Sequence, residues 1–447
     1  MIKRKLIITA LAISAMIASI VPAMAVDRPG LVPHSAWKSG LNVIKVGLIA
    51  PMTGVFATLG VNQRNSLQVI ADSINAAGGI GGAKIQIVVR DGGLDPVAST
   101  NAAKEFAGDS SIGFVMGPSI SSFYAGAAPY YEANKKLNCQ AGVAALDFTD
   151  YKYGFRSQDY FKDDYAQELT ILQRKGIKKF GMIYEAGATG SAADSFFQAS
   201  ASNYGLTYLG WQVITSTQTS HDAELQKLIN QGAQAVDISN NAYGAYTTQA
   251  AADLNFKGIL FGGSGSQNIA FQETGGDHFV GTLMAAPNYQ FPIRDKSTWM
   301  PGYKLHIDAI VQQFGTTTGP KSGSTSPNGT AIEADCLYAY AVAANKARSF
   351  DSTKVRDQMA KLDIPATMTP SGVRIHPGTN HNFYSADGIS VYQWFKDANG
   401  WYTLQVNAVA VLNSRCKIVG WLAHRSNGDP LICTKSGQYS YYKIQAV

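Results

Sequence analysis

The feature that most constrains this chain is a repeated alternation of short apolar runs with helix-patterned segments. Ile44 to Ile49 is an apolar run of strand length. From Asn65 onward, Leu67, Ile70, Ala71 and Ile74 recur at helical spacing. Gly78-Gly79 closes that helix, because glycine accepts the left-handed backbone of a C-cap. Lys84 to Val89 alternates as a strand, Val97 to Ala107 reads as a helix, Ile112 to Met116 as a strand and Tyr124 to Ala133 as a helix. The pattern restarts after about Tyr160: helices over 163–173, 191–203, 222–231 and 243–254 interleave with strands over 179–184, 206–214, 235–239 and 258–261. Units of this kind build parallel sheets with right-handed crossovers. The chain is therefore expected to be α/β, with two parallel sheets, each covered by helices on both faces. Ligands of such sheets sit where the βα loops converge, at the carboxyl ends of the strands.

A chain of 447 residues is too long for one ordinary core, which agrees with two lobes. Hydrophobic residues make up 46% and charged residues only 15%, so the chain is globular, not disordered. The formal net charge is +6, and half of it comes from Lys3, Arg4 and Lys5 at the extreme N-terminus. What remains is too mild and dispersed to argue for nucleic acid.

Residues 1–25 read as a signal peptide: a basic start, an apolar run from Leu6 to Val21, and Ala23-Met24-Ala25 as a small-x-small cleavage site. The run is shorter than the ~20 residues of a spanning helix, and no later segment is long and apolar enough. Residues 26–42 form a Pro-containing lead-in, Gly315 to Thr330 a low-complexity loop, and 331–348 a helix. Strands are expected over 389–395 and 401–406 around an Asn399-Gly400 turn, and a terminal strand over 439–447 inside an added tail, 413–447. Among four cysteines, Cys416 and Cys433 flank a short tail segment and are the better candidate disulfide, whereas Cys139 and Cys336 are as readily read as buried thiols.

Catalytic motifs are not found. Gly262-Gly263-Ser264-Gly265-Ser266 approaches a nucleophile elbow but lacks the final Gly. Gly78 to Gly82 is Gly-rich like a phosphate loop, but it lies between helix and strand, the wrong order for a dinucleotide site. His376 and His381 are separated by Pro377-Gly378, which argues for a loop, not a metal site. No enzyme activity, cofactor or metal is expected.

The opening block IKVGLIAPMTGVFATLG, the helix ending INAAGGIGG and the strand KIQIVVRD resemble the solute-binding proteins of ABC importers, of the leucine/isoleucine/valine-binding type. The resemblance continues through Gly117-Pro118-Ser119-Ile120-Ser121-Ser122, Tyr153-Gly154-Phe155-Arg156 and Trp394 to Gly400. It implies a type I periplasmic binding protein: two Rossmann-like lobes joined by three crossovers, with a ligand cleft between them. It also implies lobe 1 over 43–160 plus 288–384 and lobe 2 over 161–287 plus 385–412. The expected role is a monomeric periplasmic receptor that captures a small solute by lobe closure and hands it to ABC permease subunits. The alternatives are a flytrap that acts on a signalling partner, or a true amino acid carrier.

The resemblance also implies a set of ligand-binding positions. Ser121 falls on the family's carboxylate-binding Ser and Ser122 adjoins it, with Phe123 beside them; the alternative is that either Ser only caps the helix that follows. Ala144 stands where the family has a Thr that holds the amino acid head. Thr189 replaces a Tyr, Asn241 (beside Asn240) replaces a pocket aromatic, and Leu59 takes a position often aromatic. The acid that pairs with an α-ammonium aligns near Ser264. An ammonium taken from water needs an opposite charge, so a hydroxyl there argues against a simple aliphatic amino acid and for a carboxylate, aromatic or amide ligand. Glu185 is the residue placed to restore the missing charge.

Overall fold

The computed structural model describes residues 37–441, except 54–56, 143–144, 216–217, 240–242, 265–268, 288–295, 316–330, 399, 407–421, 425–429 and 436–437. The first sheet holds five parallel strands: β1 (Val43–Ala50), β2 (Lys84–Asp91), β3 (Ile112–Met116), β4 (Asn138–Gln140) and β5 (Gly154–Arg156), in the order β2-β1-β3-β4-β5. The connections run through α1 (Ala57–Ala76), α2 (Pro96–Gly108) and α3 (Ser121–Ala133). Asp95 starts α2 by accepting the Val97 N–H at 2.7 Å, with Pro96 at the first helical position, where its missing N–H costs nothing.

The chain then crosses to a second body. It comprises α4 (Phe161–Arg174), β6 (Lys179–Glu185), α5 (Ala188–Ser200), β7 (Thr207–Ile214), α6 (Asp222–Asn230), β8 (Ala235–Asp237), α7 (Gly244–Asp253), β9 (Ile259–Gly262), α8 (Ile269–Gly275) and β10 (Leu283–Pro287). After α9 (Pro301–Phe314), α10 (Ala331–Ala347) and α11 (Ser352–Met359) the chain returns as β11 (Ile389–Asp397) and β12 (Gly400–Gln405). The second sheet runs β12-β11-β10-β9-β8-β6-β7. It is not wholly parallel as expected: β11 pairs antiparallel with β10, and β12 with β11. A short connection can form only an antiparallel neighbour, and two residues separate β11 from β12. The tail holds a three-stranded antiparallel sheet, β13 (Leu422–His424), β14 (Pro430–Lys435) and β15 (Gln438–Tyr441). The strand expected over 439–447 is described only as far as Tyr441.

The central strands β1, β3 and β6 are buried on both faces, which is why they read as continuous apolar runs. Leu48 and Phe114 face one core with α1 and α10, while their neighbours Ile49 and Val115 face the other with Phe106, Tyr124 and Tyr131. Phe114 stacks on Tyr340 of α10 at 4.5 Å. α10 buries residues on every side, as a helix enclosed by protein must. Cys139 of β4 and Cys336 of α10 form a disulfide across this core, their Cα atoms 5.7 Å apart. This corrects the reading of the two as equally well buried thiols. The pair escapes sequence reasoning because its partners lie 197 residues apart. The candidate Cys416–Cys433 pairing lies outside the described residues. Among the described residues no helix is long and apolar enough to cross a membrane.

Candidate ligand-binding site

The carboxyl ends of β1, β2 and β3 open into a small concavity. Ile49, Ala50, Gly92, Ser119, Ile120 and Phe123 are among its walls. Asp91, the last residue of β2, braces its rim. Its carboxylate accepts the Met52 N–H at 2.9 Å, the Thr53 hydroxyl at 2.6 Å and the Gly93 N–H at 2.8 Å. The Thr53 bond, more than any other, holds this carboxyl below its ordinary range, so it stays ionised and locks the loop after β1 to the loop after β2.

The loop after β3 leads into α3. The residue at the helix start is Ile120, and no side chain caps it. Ser121 and Ser122 lie in the first turn instead, so the capping alternative does not hold. The first turn of α3 starts at the same end of the sheet as the concavity, and orphan N–H groups at a helix start favour an anion. Gly117 in this loop is steadied by the Tyr131 hydroxyl at 2.9 Å and by Gln140 Nε2 at 3.2 Å, both donating to its carbonyl.

Other candidates lie at the carboxyl edge of the second sheet. Glu185 ends β6 half-buried; burial raises its carboxyl, and its Oε2 has no partner. Thr189 sits half-buried in the first turn of α5, and Leu59 likewise in the first turn of α1. Ser264 follows β9 and is 6% exposed. Its Oγ accepts from Gln158 Nε2 at 2.6 Å and lies 3.2 Å from both Asp159 carboxylate oxygens. The Asp159 and Asp164 carboxyls bond to each other. Burial raises both, and two buried carboxyls that bond to each other share a proton. Arg156, pushed down by burial to about 10, stays charged and favours the ionised form of Asp159. Beside them Asp237, raised by burial to about 7, accepts the Ser239 N–H at 3.0 Å and the Tyr165 hydroxyl at 3.2 Å.

Of the expected positions among the described residues, only Phe123 lines the concavity. Ser121 and Ser122 adjoin it in the chain, and Glu185, Thr189 and Ser264 lie at the edge of the second sheet. Ala144, Asn240 and Asn241 lie outside the described residues. Phe161, an aromatic at the start of α4, is packed among Tyr160, Tyr165 and Phe196. Sequence reasoning missed Gln158 and Asp159, which sit in an aperiodic crossover segment. The acids that follow Arg156 so closely were the signal available to it.

Known proteins share this architecture. Leu/Ile/Val-binding protein homolog 8 of Brucella suis is 24% identical over 379 residues, covering 80% of this chain and 90% of that protein. Leu/Ile/Val-binding protein homolog 3 of Brucella melitensis is 26% identical over 244 residues, 54% of this chain and 66% of that protein. Among solved structures, a type 1 periplasmic binding protein from Bordetella pertussis superposes with a TM-score of 0.70 at 18% identity, covering 81% of this chain and all (100%) of that one. A Rhodopseudomonas palustris ABC transporter solute-binding protein in complex with 4-hydroxybenzoate gives 0.69 at 16% identity, over 82% of this chain and 96% of that one. The sequence signature of the periplasmic binding proteins spans residues 43–399, nearly the whole of both sheets. The chain belongs to the periplasmic binding protein family.

Proposed function

We propose that this chain is the solute receptor of an ABC importer, working in the periplasm after removal of residues 1–25. It captures a small molecule between lobe 1 (43–160 plus 288–384) and lobe 2 (161–287 plus 385–412) and presents the closed form to permease subunits. The solute carries a carboxylate, held by the first turn of α3 with Ser121 and Ser122, and has no α-ammonium.

One observation carries the ligand reading. The carboxylate nearest Ser264, that of Asp159, is already committed to the Ser264 hydroxyl, to Asp164 and to the charge of Arg156. An incoming ammonium would meet a hydroxyl and an amide at Ser264 in place of a free acid, and Glu185, the carboxyl with an unpartnered oxygen on the same edge, is biased by burial towards its neutral form. Neutral groups of this kind suit an aromatic or other carboxylate. The neighbours bind both sorts of solute: one is solved with 4-hydroxybenzoate and another, LivJ of Streptococcus pneumoniae, with isoleucine.

The test is thermal unfolding of the ligand-stripped protein against 4-hydroxybenzoate, other aromatic and aliphatic carboxylates, leucine and isoleucine. A ligand at about 100 times its Kd adds roughly 2.7 kcal/mol, a rise of several degrees. Shifts confined to solutes without an amine are expected. A shift with leucine or isoleucine would return the chain to the amino acid carriers.

A further inference from the structure

One side chain touches both walls of the cleft. Gln158 lies in the crossover between β5 and α4, and it is 2% exposed. The Gly142 N–H, at the carboxyl end of β4 in the first sheet, donates to Gln158 Oε1 at 3.2 Å. Gln158 Nε2 donates to Ser264 Oγ, past β9 in the second sheet, at 2.6 Å. The orientation of the amide is fixed by its partners, because a backbone N–H can only donate and must therefore meet the carbonyl oxygen.

The bridge continues towards the solute-facing loop. Gly142 has φ +94 and lies so close to that loop that a Cβ on it would stand 2.6 Å from the Ser119 carbonyl oxygen. The chain of contacts thus runs from the loop before α3, through Gly142 and the Gln158 amide, to Ser264 and Asp159. The crossover itself is anchored to the first sheet. Arg156 Nε donates to Asn382 at 3.2 Å, and the Ser157 hydroxyl meets Cys336 Sγ at 3.1 Å. Separating the two sheets must then stretch the Gln158 amide at one end or the other.

We infer that Gln158 is an interlobe clasp: a positioning residue that sets the balance between open and closed forms by joining Gly142 of the first lobe to Ser264 of the second. It acts on solute affinity through closure, not through contact with solute. The inference rests on the two-lobed capture reading but not on any ligand class.

Its test needs no ligand. Nitroxides are attached through a ketone-bearing residue at Val97 and Val213, which are 65% and 52% exposed and belong to opposite lobes. Distances between them are read by pulsed electron resonance in the full-length, solute-free protein. Gln158→Met removes both bonds at little change in volume, and Ser264→Ala removes the second-lobe end together with the Ser264–Asp159 bond. Both variants should move the distribution away from that of the parent. The ratio of open to closed forms should rise about two- to tenfold, the factor carried by one or two net hydrogen bonds. Distributions that superimpose on the parent's, with circular dichroism unchanged, would overturn the proposal. So would a shift in Gln158→Met without one in Ser264→Ala, because the bridge must fail from either end. If Gln158→Met does not fold, Gln158→Leu takes its place, and a Ser264→Ala distribution that superimposes on the parent's still overturns the proposal.

Discussion

The pairing of Glu333 with Gln63 shows what a single buried proton can do. Gln63 Nε2 donates to Glu333 Oε1 at 2.9 Å, yet Gln63 Oε1 and Glu333 Oε2 are both buried without a partner. Burial raises the Glu333 carboxyl to about 8. A proton on Glu333 gives its second oxygen a donor to offer, where an ionised carboxylate would leave two acceptors orphaned. Because the folded value lies above the unfolded one, the folded state holds this proton longer, and stability falls as pH rises from about 4.5 to about 8. Glu333→Gln keeps a donor at that place and removes the titration. In urea unfolding the variant should gain on the parent by about 1–4 kcal/mol between pH 5 and pH 8, because each tenfold difference in proton affinity is worth about 1.4 kcal/mol. A constant difference across that range would show that Glu333 is ionised in the fold. None of this was legible in the sequence, since Gln63 and Glu333 stand 270 residues apart.

Among the elements, α1 depends on a close approach that the sequence marks only as one glycine among many. A Cβ at Gly60 would lie 2.2 Å from the Pro51 carbonyl oxygen at the end of β1. Backbone cannot yield as a side-chain tip can, so Gly60→Ala should cost about 1–3 kcal/mol in chemical unfolding and disturb the loop that Asp91 braces. Ordinary stability in that variant would mean that α1 can slide. Element boundaries are legible wherever an apolar run is long and both its faces are buried. The run Ile112–Met116 coincides with β3 at both ends, and the runs for β1, β2 and β6 agree to within a residue or two. β4 and β5 escape because each has three residues, and Asn138-Cys139-Gln140 is polar at two of them although all three are buried. The end of β3 points to the solute loop for the same reason that β3 itself is clear. The crossover holding Gln158 and Asp159 has no periodicity, so their place beside Ser264 stays hidden.

In the whole molecule, the disulfide ties the first sheet to α10 at positions that flank β6 to β10 of the second sheet, while β11 and β12 lie outside them. Replacing Cys139 and Cys336 together with Ala should lower stability by about 2–5 kcal/mol, measured by urea unfolding under non-reducing conditions. Unchanged stability would show that the α10 packing alone holds the first lobe. β6 to β10, and the helices between them, all fall inside the ring that Cys139 and Cys336 close. A protease cut anywhere in that stretch therefore severs the backbone without parting the fragments. On a gel such a molecule keeps its full mass until a thiol is added, and then falls into two pieces. Damage between β6 and β10 is invisible without a reductant, and a nicked chain still moves, and is counted, as a single molecule.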